Sequence, residues 1–169
     1  MDYQEIILKL RKNREVFKEL LQEVPEDEYL WKSHPDQWCL LEVVCHLYDE
    51  EREDFRTRLR YALETPEKAP PAFDTLVWVK ERNYIGQNYG EMLQKFLDER
   101  SASITWLRSL ENPPWDNAYQ HPELGPRSAR LYLVNWLAHD YLHIRQINKL
   151  KYYYLQETAG EDLQYAGKW

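Results

Sequence analysis

From Ser128 to about Leu155 the chain holds one long helical pattern. Leu131, Val134, Trp136, Ala138, Leu142, Ile147 and Leu150 are its apolar positions, and Ser128 stands where an N-cap belongs. Such a helix has to be buried against another element, which points to helix-on-helix packing. Three more stretches carry the same signal. Ile6, Leu10, Phe17, Leu20, Leu21 and Val24 predict a helix from about Tyr3 to Val24, stopped by Pro25. Leu40, Val43, Val44, Leu47 and Phe55 predict a second from near Trp38 to about Leu63, with Asp36 as its N-cap. Met92, Leu93, Phe96, Ile104 and Leu107 predict a third from about Gly90 to Leu110. Only 5 glycines occur in 169 residues, too few for a turn-rich β fold. The expectation is an all-α fold, a four-helix bundle, formed as one domain over residues 1–169.

The connections are uneven. Thr65 to Pro71 is proline-rich, and Asp74 to Gln87 is ambiguous because Gly86 and Gly90 weaken a continuous helix. Glu111 to Arg127 forms a long loop, a kind of segment that is often functional when ordered. The tail from Glu157 to Trp169 is polar and expected to fray. The charged run Asp49 to Asp54 reads as an exposed stretch of the second helix.

Charge and hydropathy narrow the partners. A net charge of −7 disfavours a phosphate backbone, and the basic cluster Lys9, Arg11, Lys12, Arg14 is broken by Glu5, Glu15 and Glu19. Nucleic acid is therefore not expected. No apolar run reaches membrane-spanning length, and the first residues lack the layout of a signal peptide, so a cytoplasmic location is expected. Cys39 and Cys45 would lie about 9 Å apart along a helix axis, beyond disulfide reach, and Cys45 reads as a small core residue.

His139 and His143 stand four residues apart within the last helical pattern, with their Cβ atoms about 5–6 Å apart on one face. Two imidazoles so placed can share a metal ion. His46 lies in the apolar centre of the second helix, where a neutral imidazole needs a hydrogen-bond partner or a metal. Three histidines meeting in a bundle core would leave positions open for water or substrate, as catalytic sites do. Imidazole ligands suit zinc, nickel, copper and iron, and a divalent ion such as zinc or nickel is expected. His139-Asp140-x-x-His143 also approaches the zinc-protease pattern, with Asp140 in place of the basic Glu and Glu157 or Glu161 as third ligand. Asp49 and Glu50, one turn from His46, are candidates to orient an imidazole or a bound water, and His121 could overhang the site from its loop. Arg52, Arg82 and Arg100 could pair with a substrate carboxylate, against a default of surface ion pairs. Trp38, Trp136 and several of the 13 tyrosines could wall a pocket for a small, partly apolar substrate.

Three stretches carry a resemblance. They are Trp38-Cys39-Leu40-Leu41-Glu42-Val43-Val44-Cys45-His46-Leu47-Tyr48-Asp49, then His121-Pro122-Glu123-Leu124-Gly125, then His139-Asp140-Tyr141-Leu142-His143 with Gln146-Ile147. In order and spacing they resemble the DinB-like (YfiT-like) superfamily of metalloenzymes. That resemblance implies a four-helix bundle, a divalent-metal site made by His46, His139 and His143, and a homodimer. Cys39 departs from the pattern, where a serine-like cap is expected, so the helix start is open. Relatives include thiol-dependent transferases and isomerases. The expected function is a metal-dependent transferase or hydrolase acting on a small molecule, with a low-molecular-weight thiol as a possible cosubstrate. The alternative is a non-enzymatic metal-binding or dimerisation module. An open metal position facing a pocket would favour the enzyme.

Overall fold

The structure is a computed structural model that describes residues 2–72 and 74–167. Helix α1 (Tyr3–Leu21) starts where the Asp2 carboxylate accepts the Gln4 amide at 2.9 Å. It stops at Leu21, short of the expected Val24, because Gln22 is already extended at ψ 152°, and Glu23 follows in the left-handed region at φ 55°. A single turn, α2 (Glu26–Tyr29), follows Pro25. Helix α3 (Leu40–Asp49) begins two residues later than expected. Its N-cap is Cys39, not Asp36, and the Glu42 carboxylate accepts the Cys39 amide at 2.9 Å. The helical path then widens into a π turn (Glu50–Phe55) before continuing as α4 (Arg56–Glu64). The ambiguous segment contains α5 (Thr75–Glu81) and a 3₁₀ turn (Tyr84–Gly86). Helix α6 (Tyr89–Ser109) is capped by Asn88.

The long loop after α6 contains a β-hairpin, β1 (Ala118–His121) with β2 (Gly125–Ser128), which the sequence reading did not expect. Its three-residue tip needs a left-handed residue to turn back, and Gly125 supplies it at φ 71°. Helix α7 (Ala129–Ala159) is capped by Ser128 and ends at Gly160, also left-handed. Lys168 and Trp169, the end of the tail expected to fray, lie outside the described residues. Among the described residues, no helix is long and apolar enough to cross a membrane.

The four long helical rods form the expected bundle. α1 packs on α6 and α7, α3 packs on α6, and α4 packs on α7. The rods α1 and α3–α4 therefore sit at diagonal corners, as do α6 and α7. Diagonal partners need long connections, which residues 22–39 and 110–128 provide. The second connection lays its hairpin over α4 and α7.

Two apolar clusters fill the bundle. One gathers Phe17, Val43, Leu47, Phe96 and Ile147, and the other gathers Leu10, Leu59, Leu107, Leu133 and Trp136. Between these levels every rod contributes to a buried polar layer, which includes Asn13, Glu51, Arg100 and Asp140. The Arg100 guanidinium donates to both Asp140 oxygens at 2.7 and 2.8 Å and to Glu51 at 2.9 Å. The Asn13 amide donates to Asp140 at 3.0 Å and the Trp136 indole to Glu51 at 2.9 Å. Buried charges of this kind add little net stability, but breaking one pair is costly, so the layer fixes the register of all four rods. Arg100, only 1% exposed, is thus neither a surface cation nor a substrate contact. Nor is the run from Asp49 an exposed stretch, since Asp49, Glu50 and Glu51 are all buried.

Candidate metal centre

His46 from α3 meets His139 and His143 from α7 beside the polar layer. One ring nitrogen from each of the three lies within 4.8 Å of the others. His139 and His143 face each other Nε2 to Nε2 at 3.0 Å, and the His46 ring centre lies 4.9 Å from that of His143. Gln146, one turn further along α7, accepts a hydrogen bond from His143 Nδ1 at 2.8 Å. That bond places the proton of neutral His143 on Nδ1 and leaves the Nε2 lone pair facing the cluster. Among the described residues His46 Nδ1 is buried without a hydrogen-bond partner, and Glu50 Oε1 lies 3.9 Å from it. Trp38 packs on the His46 ring and Phe55 on the His139 ring.

Burial sets the protonation. Desolvation, then the His143 charge, pushes His46 down to about 3. Desolvation is also the main cause of lowered values at His139 and His143. All three imidazoles are therefore neutral at pH 7. Three converging neutral imidazoles, one with an orphaned buried nitrogen, form a donor set that fits a divalent cation.

An open cleft of about 790 Å³ reaches the cluster from the hairpin side. His46, Glu50, Asp54 and Arg58 all line it. In an α-helix each four-residue step overshoots one turn by about 40°, so this row would drift by about 120°. The π turn absorbs about one extra residue and brings the row back onto one wall. The same turn lets Glu51 point into the core while Glu50 faces the cleft. Glu50 is pushed up to about 8 by desolvation first and by the neighbouring Asp54 carboxylate second. Asp54 is ion-paired to Arg58, which also donates to the Tyr119 hydroxyl at 3.4 Å.

The remaining candidates are placed as follows. Asp49 is turned to a different cleft, where its carboxylate accepts from Tyr84 Oη and Arg82 Nη1, both at 2.7 Å, and from Arg52 at 3.3 Å. Arg52 and Arg82 are therefore committed to ion pairs. His121 closes β1 and lines the histidine cleft. Its Nδ1 accepts the Glu123 and Leu124 amides, both at 3.2 Å, so neutral His121 carries its proton on Nε2. Trp38 walls a second cleft with His143, whereas Trp136 is wholly buried and holds Glu51 rather than substrate. Asp140 is fully buried against Arg100, which removes it as a protease-type base. Asp54, Arg58 and Gln146 were missed in these roles. Their signal was the four-residue row from His46 and the three-residue step from His143.

Fold and cluster together define a class: a four-helix bundle whose facing rods bring three histidines into one potential metal centre. The chain belongs to the DinB superfamily, whose family model matches residues 9–147. Among solved structures it is similar to YfiT from Bacillus subtilis, described as a probable metal-dependent hydrolase with an unusual four-helix bundle topology. The two share 17% identity at a TM-score of 0.77, over 88% of this chain and 85% of that one. At that identity the likeness bears on the fold. No curated protein matches the chain.

Proposed function

We propose that the protein is a metal-dependent enzyme acting on a small molecule, a hydrolase or a thiol-dependent transferase. His46, His139 and His143 hold one divalent ion, zinc or nickel. The observation that carries this reading is the convergence of one ring nitrogen from each of His46, His139 and His143 within 4.8 Å, with the Nε2 atoms of His139 and His143 facing each other at 3.0 Å. A hydrogen bond between His139 and His143 would satisfy that pair alone and would leave His46 unpaired. A bound divalent ion supplies Lewis acidity, polarising a substrate oxygen or lowering the pKa of water or a thiol.

The chain's own groups do the rest. Gln146 holds the His143 tautomer. Glu50, on the cleft wall beside His46, gives or takes a proton at its carboxyl oxygen. Phe55, Leu131 and Tyr132 supply an apolar wall, and His121 offers an Nε2–H donor at the cleft's edge. The open cleft favours catalysis over a closed, purely structural site. Exposed Tyr141 and Leu155 on α7 add to the family resemblance in support of a homodimer, and the composition supports a cytoplasmic location.

The test is a screen of small esters, amides and electrophiles, with and without cellular thiols, comparing wild type with His139→Ala. Turnover by the wild type alone supports the proposal. Equal turnover by both proteins would remove the histidines from the catalytic centre, and turnover by neither would favour the binding-module reading.

A further inference from the structure

The histidine cluster is reached from two directions. Along α7 the first cleft takes Leu131, Tyr132, Asn135 and His139, while a second cleft of about 590 Å³ begins at Leu142 and His143. The two differ in charge. The first contains Glu50, Asp54 and Asp74 alongside Arg58 and Arg127. The second contains Arg145 and Lys149 and, among the described residues, no carboxylate. In a chain of net charge −7, two uncompensated cations in one concave site run against the overall sign.

Among the described residues neither cation is held by a salt bridge. Lys149 rests 5.6 Å over the Tyr153 ring. Trp38 and Tyr153 give the cleft aromatic walls, and Ser33 and Gln37 add polar groups. Gln146 spends its carbonyl oxygen on His143, so its amide N–H groups remain to donate. Arg145 and Lys149 are four residues apart on one helix face, close enough to grip one anionic group.

We infer that this second cleft binds a small organic anion, a carboxylate or phosphate carried on a planar ring, with its ring between Trp38 and Tyr153 and its charge on Arg145 and Lys149. The inference goes beyond the metal-dependent reading and does not need it, since the anion is held by side chains other than the three histidines. If both hold, the histidine centre takes two ligands, one through each cleft.

The experiment is calorimetric titration of phthalate and of phenyl phosphate into the purified protein, zinc-loaded and metal-free, with benzyl alcohol as a neutral control. The comparison proteins are the double variant Arg145→Gln/Lys149→Gln and Arg127→Gln in the other cleft. Both substituted cations of the double variant are exposed, so it is expected to fold and to keep its zinc content. At least one anion should bind wild type, with or without zinc, and about tenfold or more weaker to the double variant. Arg127→Gln should bind as wild type does, and benzyl alcohol should not bind. The anion that binds more tightly identifies the group the cleft prefers. Equal affinity in the double variant, binding that disappears with the metal, or no anion binding to wild type would each overturn the inference. Zinc content, read separately, shows whether the metal reading stands or falls on its own.

Discussion

His143 points its Nε2 at the Nε2 of His139, 3.0 Å away, and its opposite nitrogen is tied to Gln146 at 2.8 Å. The second bond decides what the first can be. With its proton on Nδ1, His143 has a lone pair to give, and Gln146 keeps the ring turned toward the cluster. Gln146→Leu should therefore retain the fold and weaken zinc affinity about 10- to 100-fold. Competition against a chromophoric chelator measures it, and unchanged affinity would deny Gln146 this orienting role.

Arg100→Leu would strand Glu51 and Asp140 as two buried carboxylates with no cation between them. The expected loss is about 3–5 kcal/mol, the cost of breaking a buried pair. Urea denaturation followed by far-ultraviolet circular dichroism reads it. A loss below about 1 kcal/mol, the range of an exposed pair, would mean that the layer does not hold the rods in register.

Acid should destabilise the metal-free protein. The three histidines are held below their ordinary value in the fold, His46 at about 3, so the unfolded chain binds protons that the folded chain refuses. Their contribution is complete above about pH 6.5 and is lost as pH falls below it, by up to about 1.4 kcal/mol per pH unit for each group. Glu50, held up to about 8, acts in the opposite sense and stabilises as pH falls from 8, because the folded chain keeps a proton there that the unfolded chain has lost. The histidine part is therefore read as the fall in Tm below pH 6.5 of chelator-treated wild type relative to the triple variant His46→Ala/His139→Ala/His143→Ala.

Glu50→Gln keeps the size of the side chain and removes its titration. It should leave zinc content unchanged and, on a substrate turned over by wild type, lower kcat by about 100-fold. Full activity in Glu50→Gln would exclude a proton-transfer role for this carboxyl.

Much of the fold was written in the periodicity of the chain. Helix α7 itself, the pair His139 and His143, and His46 in an apolar run were legible because each is a local pattern. The buried face of α7 was not: Leu142 is 56% exposed and Ala138 is exposed, whereas Tyr132, Leu133 and Leu137 are buried. Arg100 and Asp140 were less so, because a charged residue announces a surface by default. Both in fact stand on apolar stripes: Arg100 between Leu97 and Ile104, and Asp140 between Leu137 and Ile147. The π turn had no visible signature, so Glu50 and Glu51 could not be sent to opposite sides in advance. The hairpin was hidden for a different reason. Its strands are four residues each and owe their place to one buried side chain, Tyr119, which packs on Tyr132 of α7. Asp49 stands three residues from His46 in sequence, yet Tyr84 and Arg82, whose positions no local pattern gives, hold it away.

Whether three imidazoles share one divalent ion is read by zinc K-edge X-ray absorption on protein loaded to equilibrium at neutral pH. The expected result is about one zinc per chain with three imidazole nitrogens at about 2.0–2.1 Å. His46→Ala should lose tight loading. Failure to load zinc, or a zinc shell without imidazole scattering, would contradict the shared site.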